Sequence, residues 1–139
     1  MIKHLQKKEE LLQGYHVLKE LRTHLTEETF FDMYEKMKQE GYEIHACYEG
    51  EEVKAVTGII PLTNYYDGYH IYVYDLVTAS HARSKGYGEK LLSHIETLAV
   101  EKGCQTVTLS SGLQRKDAHR FYEEKMEYDK TSYVFKKEL

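Results

Sequence analysis

The segment "YVYDLVTASHARSKGYGEKLLSHIETLA", Tyr72 to Ala99, runs an alternating strand into a short loop with two glycines and then into an amphipathic helix. On the strand, Ile71, Val73, Asp75 and Val77 share one face, while His70, Tyr72, Tyr74 and Leu76 share the other. From Gly86 to Lys102, Leu91, Leu92, Ile95, Leu98 and Ala99 recur at helical spacing, and Gly103 stands where a helix ends. A strand that enters a helix through such a loop can aim successive backbone N–H groups at one point, here those of Ser84, Lys85, Gly86, Tyr87, Gly88 and Glu89. Gly86 and Gly88 remove Cβ atoms that would hold a ligand away. Arg83 and Lys85 add positive charge locally in a chain whose formal net charge is -4. The combination favours a phosphate site over a plain turn.

Two other phosphate motifs do not fit. A P-loop requires GxxxxGK followed by Ser or Thr, and a dinucleotide fingerprint requires a third glycine where Leu91 stands.

Outward from this segment, the chain alternates helix-like and strand-like stretches. One helix is predicted from Lys7 to Leu25, and a second from Thr26, a cap followed by Glu27 and Glu28, to about Gly41. Two β-rich runs from Tyr42 to Leu62 are joined by the turn Glu49, Gly50, Glu51, with Pro61 limiting the second. After Asn64 to Tyr69, a turn, comes the alternating strand. "QTVTLSS" reads as a buried strand, "RKDAHRFYEEK" as a short helix and "TSYVFKKEL" as a closing strand. These predict a single α/β (α+β) domain over residues 1–139, with helices packed on a mostly antiparallel sheet.

At 139 residues and 41% hydrophobic content, the chain suits one core and no second. Its 23 acidic against 19 basic residues give no general attraction to nucleic acid or an anionic membrane, and lean toward cationic amines. Cys47 and Cys104 form no metal spacing and a poor disulfide framework, and no signal peptide or membrane span is visible, so a soluble cytoplasmic protein is expected. The eight histidines show no ligand spacing, and no metal is expected.

The pattern Arg-x-x-Gly-x-Gly, filled by Arg83, Gly86 and Gly88, resembles the acetyl-coenzyme A signature of the GCN5-related N-acetyltransferase (GNAT) family. The last part, "RKDAHRFYEEKMEYDKTSYVFKKEL", resembles that family's final segment, with Ala118, Phe121 and Tyr122 at its Ala-x-x-Phe/Leu-Tyr positions. Ser84 replaces a glycine that often follows the arginine, Arg115 stands where asparagine is common, and Glu127 occupies a usual glycine position.

The resemblance implies acetyl transfer from acetyl-coenzyme A to an amine of a small molecule or protein, by direct attack in a ternary complex. It leaves a homodimer open, and a non-catalytic acyl-coenzyme A binding module is the alternative. The pyrophosphate would lie on the amides of Ser84 to Glu89, with Lys85, Arg115 and Arg120 as side-chain partners. Leu76, Val77 and Thr78 would supply the oxyanion and pantetheine contacts, with Ala118 in the second motif. Tyr122 would donate to the leaving sulfur.

An alkylamine with a pKa of about 10.4 needs roughly 4.6 kcal/mol to become a neutral nucleophile at pH 7. Asp75, at the end of the central strand, is the candidate base, with water relays to His70 or His119 as alternatives. Tyr74 holds a position that carries glutamate in many relatives. Tyr65, Tyr66, Tyr69, Tyr72 and Tyr74 are candidates for walls of an acceptor pocket.

Overall fold

A computed structural model describes all 139 residues. The chain divides into two compact units, Met1–Thr108 and Leu109–Leu139.

The first unit is built on a sheet of order β1-β2-β3-β4-β5. Its strands are β1 (Ile2–Leu5), β2 (Glu43–Glu49), β3 (Glu52–Asn64), β4 (Gly68–Thr78) and β5 (Thr106–Leu109), the last reaching the unit boundary. β1, β2, β3 and β4 pair antiparallel in succession. The helices are α1 (Lys8–Leu18), α2 (Glu27–Gln39) and α3 (Tyr87–Glu101).

β1 was not anticipated from the sequence. Four residues are too short for a visible period, and the strand is recognisable only through its pairing, Ile2 with Cys47 and Leu5 with Ile44. The helix predicted over residues 7–25 stops at Leu18, and turns follow through Arg22. Gly14 does not kink it. That glycine sits against the sheet, where a Cβ would come within 2.8 Å of Leu5 Cδ1, so its role is close packing.

α1 is started by Glu10, whose carboxylate accepts the amides of Lys7 and Gln6 and is paired with Lys3 at 2.8 Å. α2 begins as expected, with Thr26 accepting the Thr29 N–H at 3.1 Å.

Pro61 does not end β3, which continues to Asn64. Pairing with β2 stops at Ile59, so Pro61 lies where β3 has a free edge and its missing N–H is tolerated. The alternation over β4 is interrupted by a bulge: Gly58 faces Asp75 while Ile59 faces Val73, leaving Tyr74 without a partner on β3. β5 is half-buried rather than buried.

The core brings Leu11, Tyr15 and Leu18 of α1 and Phe30 and Tyr34 of α2 against Ile44, Val56 and Val77 of the sheet. Leu91, Leu92 and Ile95 of α3 are fully buried. No helix is long and apolar enough to cross a membrane.

In the second unit, α4 (Lys116–Arg120) runs directly into a π-helical turn, Phe121–Lys125. The closing strand predicted over "TSYVFKKEL" is absent: residues 129–139 form no regular structure, and Tyr133, Val134 and Phe135 are exposed. Propensity alone does not hold a strand in water.

Candidate functional site

The end of β4 and the start of α3 form one continuous piece of the first unit. Leu76 and Val77 are buried and Thr78 half-buried, paired with Thr57, Val56 and Ala55 on β3. A single 3-10 turn, Ser80–Ala82, then leads into the exposed run Arg83 to Gly86. Ala82 anchors the turn in the core, and Ser80 N–H donates to Glu20 at 2.8 Å, tying the loop to the segment after α1.

Gly86 is the N-cap of α3 at φ 86, a left-handed conformation that glycine adopts freely. A Cβ placed there would meet nothing within 4 Å. The glycine therefore serves the backbone path and leaves the space in front of the helix clear. A helical bond runs from Lys90 N–H to the Gly86 carbonyl at 3.0 Å, so the amides of Gly86, Tyr87 and Gly88 lie ahead of the i→i−4 ladder of α3. Arg83 and Lys85 flank them in solvent. Ser84 adopts φ 64. It stands where the family pattern often has glycine, and the backbone keeps the glycine-like conformation.

Beside β4 lies a cavity of about 270 Å³. Its walls are Leu18, Arg22, His24 and Leu25 from α1 and the link after it, Phe30, Met33, Tyr34 and Met37 from α2, then Tyr42 and Asp75. Asp75 is its carboxylate, and it is not free: Arg22 Nε donates to Oδ1 at 2.6 Å. The Asp75 main-chain carbonyl accepts from Thr57 Oγ1 at 2.7 Å, fixing the strand beneath.

Burial, with the Asp75 charge adding to it, pushes the Tyr42 phenol well above its ordinary value, and burial does the same to Tyr34 more mildly. Both rings therefore present neutral hydroxyl groups, able to donate hydrogen bonds and unable to serve as anionic bases.

Arg22, Tyr42 and Gly58 are the functional candidates that sequence reading missed. Tyr42 lies across Gly58, the residue opposite Asp75, and only a missing side chain admits the ring there. A glycine inside a strand pattern was the available signal. Of the tyrosines expected in a pocket, Tyr65 and Tyr66 instead project fully into solvent from the turn between β3 and β4. The aromatic walls come from Phe30, Tyr34 and Tyr42.

His70 is buried, with Nδ1 2.8 Å from the Gly68 carbonyl. His119, in the second unit, has Nε2 2.8 Å from the Gly112 carbonyl.

The remaining candidates belong to the second unit. Arg115 caps α4 and Ala118 is half-buried, while the Arg120 guanidinium is paired with Asp117. Tyr122 is buried in the π-helical turn, its ring 5.4 Å from Phe121 and 6.1 Å from Tyr128. The turn closes through Met126 N–H to Phe121 and Tyr128 N–H to Tyr122. Glu127 has φ 61, so the residue in the usual glycine position again carries a glycine-like backbone.

Similarity to known proteins bears on the family and the fold. Residues 7–128 match the family described as the acetyltransferase (GNAT) family. The chain is 43% identical over 137 residues to the uncharacterized N-acetyltransferase YhdJ of Bacillus subtilis (strain 168), covering 98% of this chain and 96% of that protein.

Among solved structures, a transcriptional regulator from Bacillus halodurans C-125 superposes with a TM-score of 0.86 at 23% identity, covering 100% of this chain and 99% of that one. The aminoglycoside acetyltransferase meta-AAC0020, from an uncultured soil metagenomic sample, gives 0.83 at 16% identity, covering 100% and 95%. AAC(6')-Iy, in complex with the bisubstrate analog CoA-S-monomethyl-acetylneamine, gives 0.85 at 11% identity, covering 100% and 97%. At these identities the structures speak for the fold, while the family match and the Bacillus subtilis relative decide membership: this chain belongs to the GNAT acetyltransferase family.

Proposed function

We propose that the protein transfers the acetyl group of acetyl-coenzyme A to a primary amine of a small molecule or protein, by direct attack in a ternary complex in the cytoplasm. The observation that carries this reading is the start of α3, where a left-handed Gly86, with open space beside its Cα, leads the amides of the loop and first turn into the helix at the end of β4. Those amides, from Ser84 to Glu89, would hold the pyrophosphate, with Lys85 beside them. Leu76, Val77 and Thr78 would line the pantetheine and the thioester carbonyl. The complex of AAC(6')-Iy with a coenzyme A bisubstrate analog supports the choice of carrier.

Asp75 is the group suited to receive a cationic acceptor. An incoming ammonium would displace Arg22 from the carboxylate, with Phe30, Tyr34 and Tyr42 enclosing the alkyl part. Deprotonation toward Asp75 would follow, directly or through water, and Tyr122 would donate a hydrogen bond to the departing thiolate.

The test combines binding with turnover. Acetyl-coenzyme A should raise the melting temperature, and one member of a panel of polyamines, aminoglycosides and lysine peptides should release free thiol. No shift at millimolar acetyl-coenzyme A contradicts the proposal. A shift with no thiol release from any amine favours a non-catalytic acyl-coenzyme A binding module, a reading to which the occupied Asp75 carboxylate lends weight.

A further inference from the structure

On the edge of the sheet, β1 and β2 place His4 directly opposite His45, while Glu43 precedes His45 by two residues on the same strand. Cross-strand partners and residues two apart share a face, so these side chains converge. The two imidazole rings stack with centroids 4.8 Å apart and planes 12° from parallel. Glu43 Oε1 lies 2.9 Å from His45 Nε2 and 3.9 Å from His4 Nε2. One ligand atom from each residue falls within 4.8 Å of the others.

The acetyl transfer proposed above uses none of these residues. His45 is 5% exposed, and its Nε2 is held 2.9 Å from Glu43 Oε1, so the fold already brings these two donor atoms together. His4 and Glu43 keep partial access to solvent, which gives an ion a route in.

We propose that His4, Glu43 and His45 form a binding site for one divalent transition-metal ion, with zinc the best match, that staples β1 to β2. Two imidazole nitrogens and one carboxylate oxygen are a zinc donor set, and a water would complete the tetrahedron. Bonds of about 2.0–2.1 Å put tetrahedral donors roughly 3.3–3.4 Å apart. The Glu43 to His45 separation must open slightly, the His4 to Glu43 separation must close by about half an ångström, and the partly exposed His4 ring must turn out of its stack on His45 so that the two in-plane lone pairs meet at one ion.

On coordination through Nε2, each imidazole carries its proton on Nδ1. At His4 that proton meets the Gln6 side-chain amide, 3.0 Å away, which would turn its oxygen toward the ring and orient the ligand. Lys102 adds a positive charge felt by His4 and Glu43. This penalises hard cations held by charge alone, leaving the nitrogens as the main source of affinity.

The experiment uses untagged full-length protein treated with chelator, then titrated with zinc and, separately, cobalt(II). Wild type should bind one equivalent of zinc, gain melting temperature, and give cobalt d–d absorption of tetrahedral intensity. Magnesium and calcium should do neither. His4→Gln and Glu43→Gln, both at partly exposed positions, should keep the wild-type circular dichroism spectrum and lose at least tenfold in zinc affinity, and His45→Gln should do the same if it folds. Absence of saturable one-equivalent binding in wild type, or unchanged affinity in His4→Gln and Glu43→Gln, overturns the site. Neither result depends on acetyl transfer, so failure here leaves the proposed activity standing.

Discussion

Arg22 Nε donates to Asp75 Oδ1 across 2.6 Å, joining residues 53 positions apart in sequence and closing one wall of the cavity between α2 and β4. The pair brings a guanidinium from the link after α1 to the carboxylate beside the β4 bulge. Arg22 also reaches the Tyr74 carbonyl at 3.4 Å, so it bonds to both the bulge and the carboxylate next to it.

Asp75→Asn removes the negative charge while keeping the shape and the main-chain carbonyl that Thr57 holds. If Asp75 receives the acceptor and its proton, kcat/KM for the amine should fall by about 10²–10⁴-fold with acetyl-coenzyme A affinity unchanged. Steady-state kinetics beside a cofactor titration check this; equal loss of both affinities would make Asp75 a structural residue.

Tyr122→Phe keeps the ring among Phe121 and Tyr128 and deletes only the hydroxyl. Loss of one hydrogen bond to the leaving sulfur, about 1–1.5 kcal/mol, corresponds to a drop in kcat of roughly tenfold with unaltered cofactor affinity. An unchanged kcat assigns this tyrosine to packing.

Ser84 and Glu127 hold φ 64 and φ 61, where an L side chain costs roughly 1–2 kcal/mol. Glycine removes that strain and gives back roughly 0.5–1 kcal/mol through added freedom of the unfolded chain. Ser84→Gly and Glu127→Gly should each stabilise by about 0.5–1 kcal/mol, read as an upward shift of roughly 1–4 °C in melting temperature. A fall in melting temperature contradicts the strain.

Gly58→Ala drives a methyl group into the Tyr42 ring, 2.7 Å from Cζ before any relaxation. The expected destabilisation is about 1–3 kcal/mol by urea unfolding, with a higher KM for the amine as Tyr42 is displaced into the cavity. Unchanged stability would mean that Tyr42 has room to move.

The fold was legible wherever a period was long enough to see: the strand at β4, the face of α3 and the hairpin turned at Gly50 appear as read, while the bulge that breaks the β4 alternation at Tyr74 does not show in the pattern. β1 was invisible because its four residues are defined by what they pair with. The C-terminal run failed for the opposite reason, since Tyr133, Val134 and Phe135 have strand composition and form no strand. At the site, the left-handed start of α3 could be read from the placement of Gly86, because backbone conformation is encoded locally. Arg22 and Tyr42 could not be read: each meets Asp75 or Gly58 through tertiary packing, and nothing in their immediate neighbours distinguishes them.

Calorimetric titration of acetyl-coenzyme A into wild type and Gly86→Glu tests the central claim most directly, with Gly86→Asn as a control, since asparagine tolerates a left-handed backbone. The account predicts measurable affinity in wild type, retained in part by Gly86→Asn, and at least a hundredfold loss in a folded Gly86→Glu protein, whose carboxylate would face the pyrophosphate. Wild-type affinity in Gly86→Glu would contradict it.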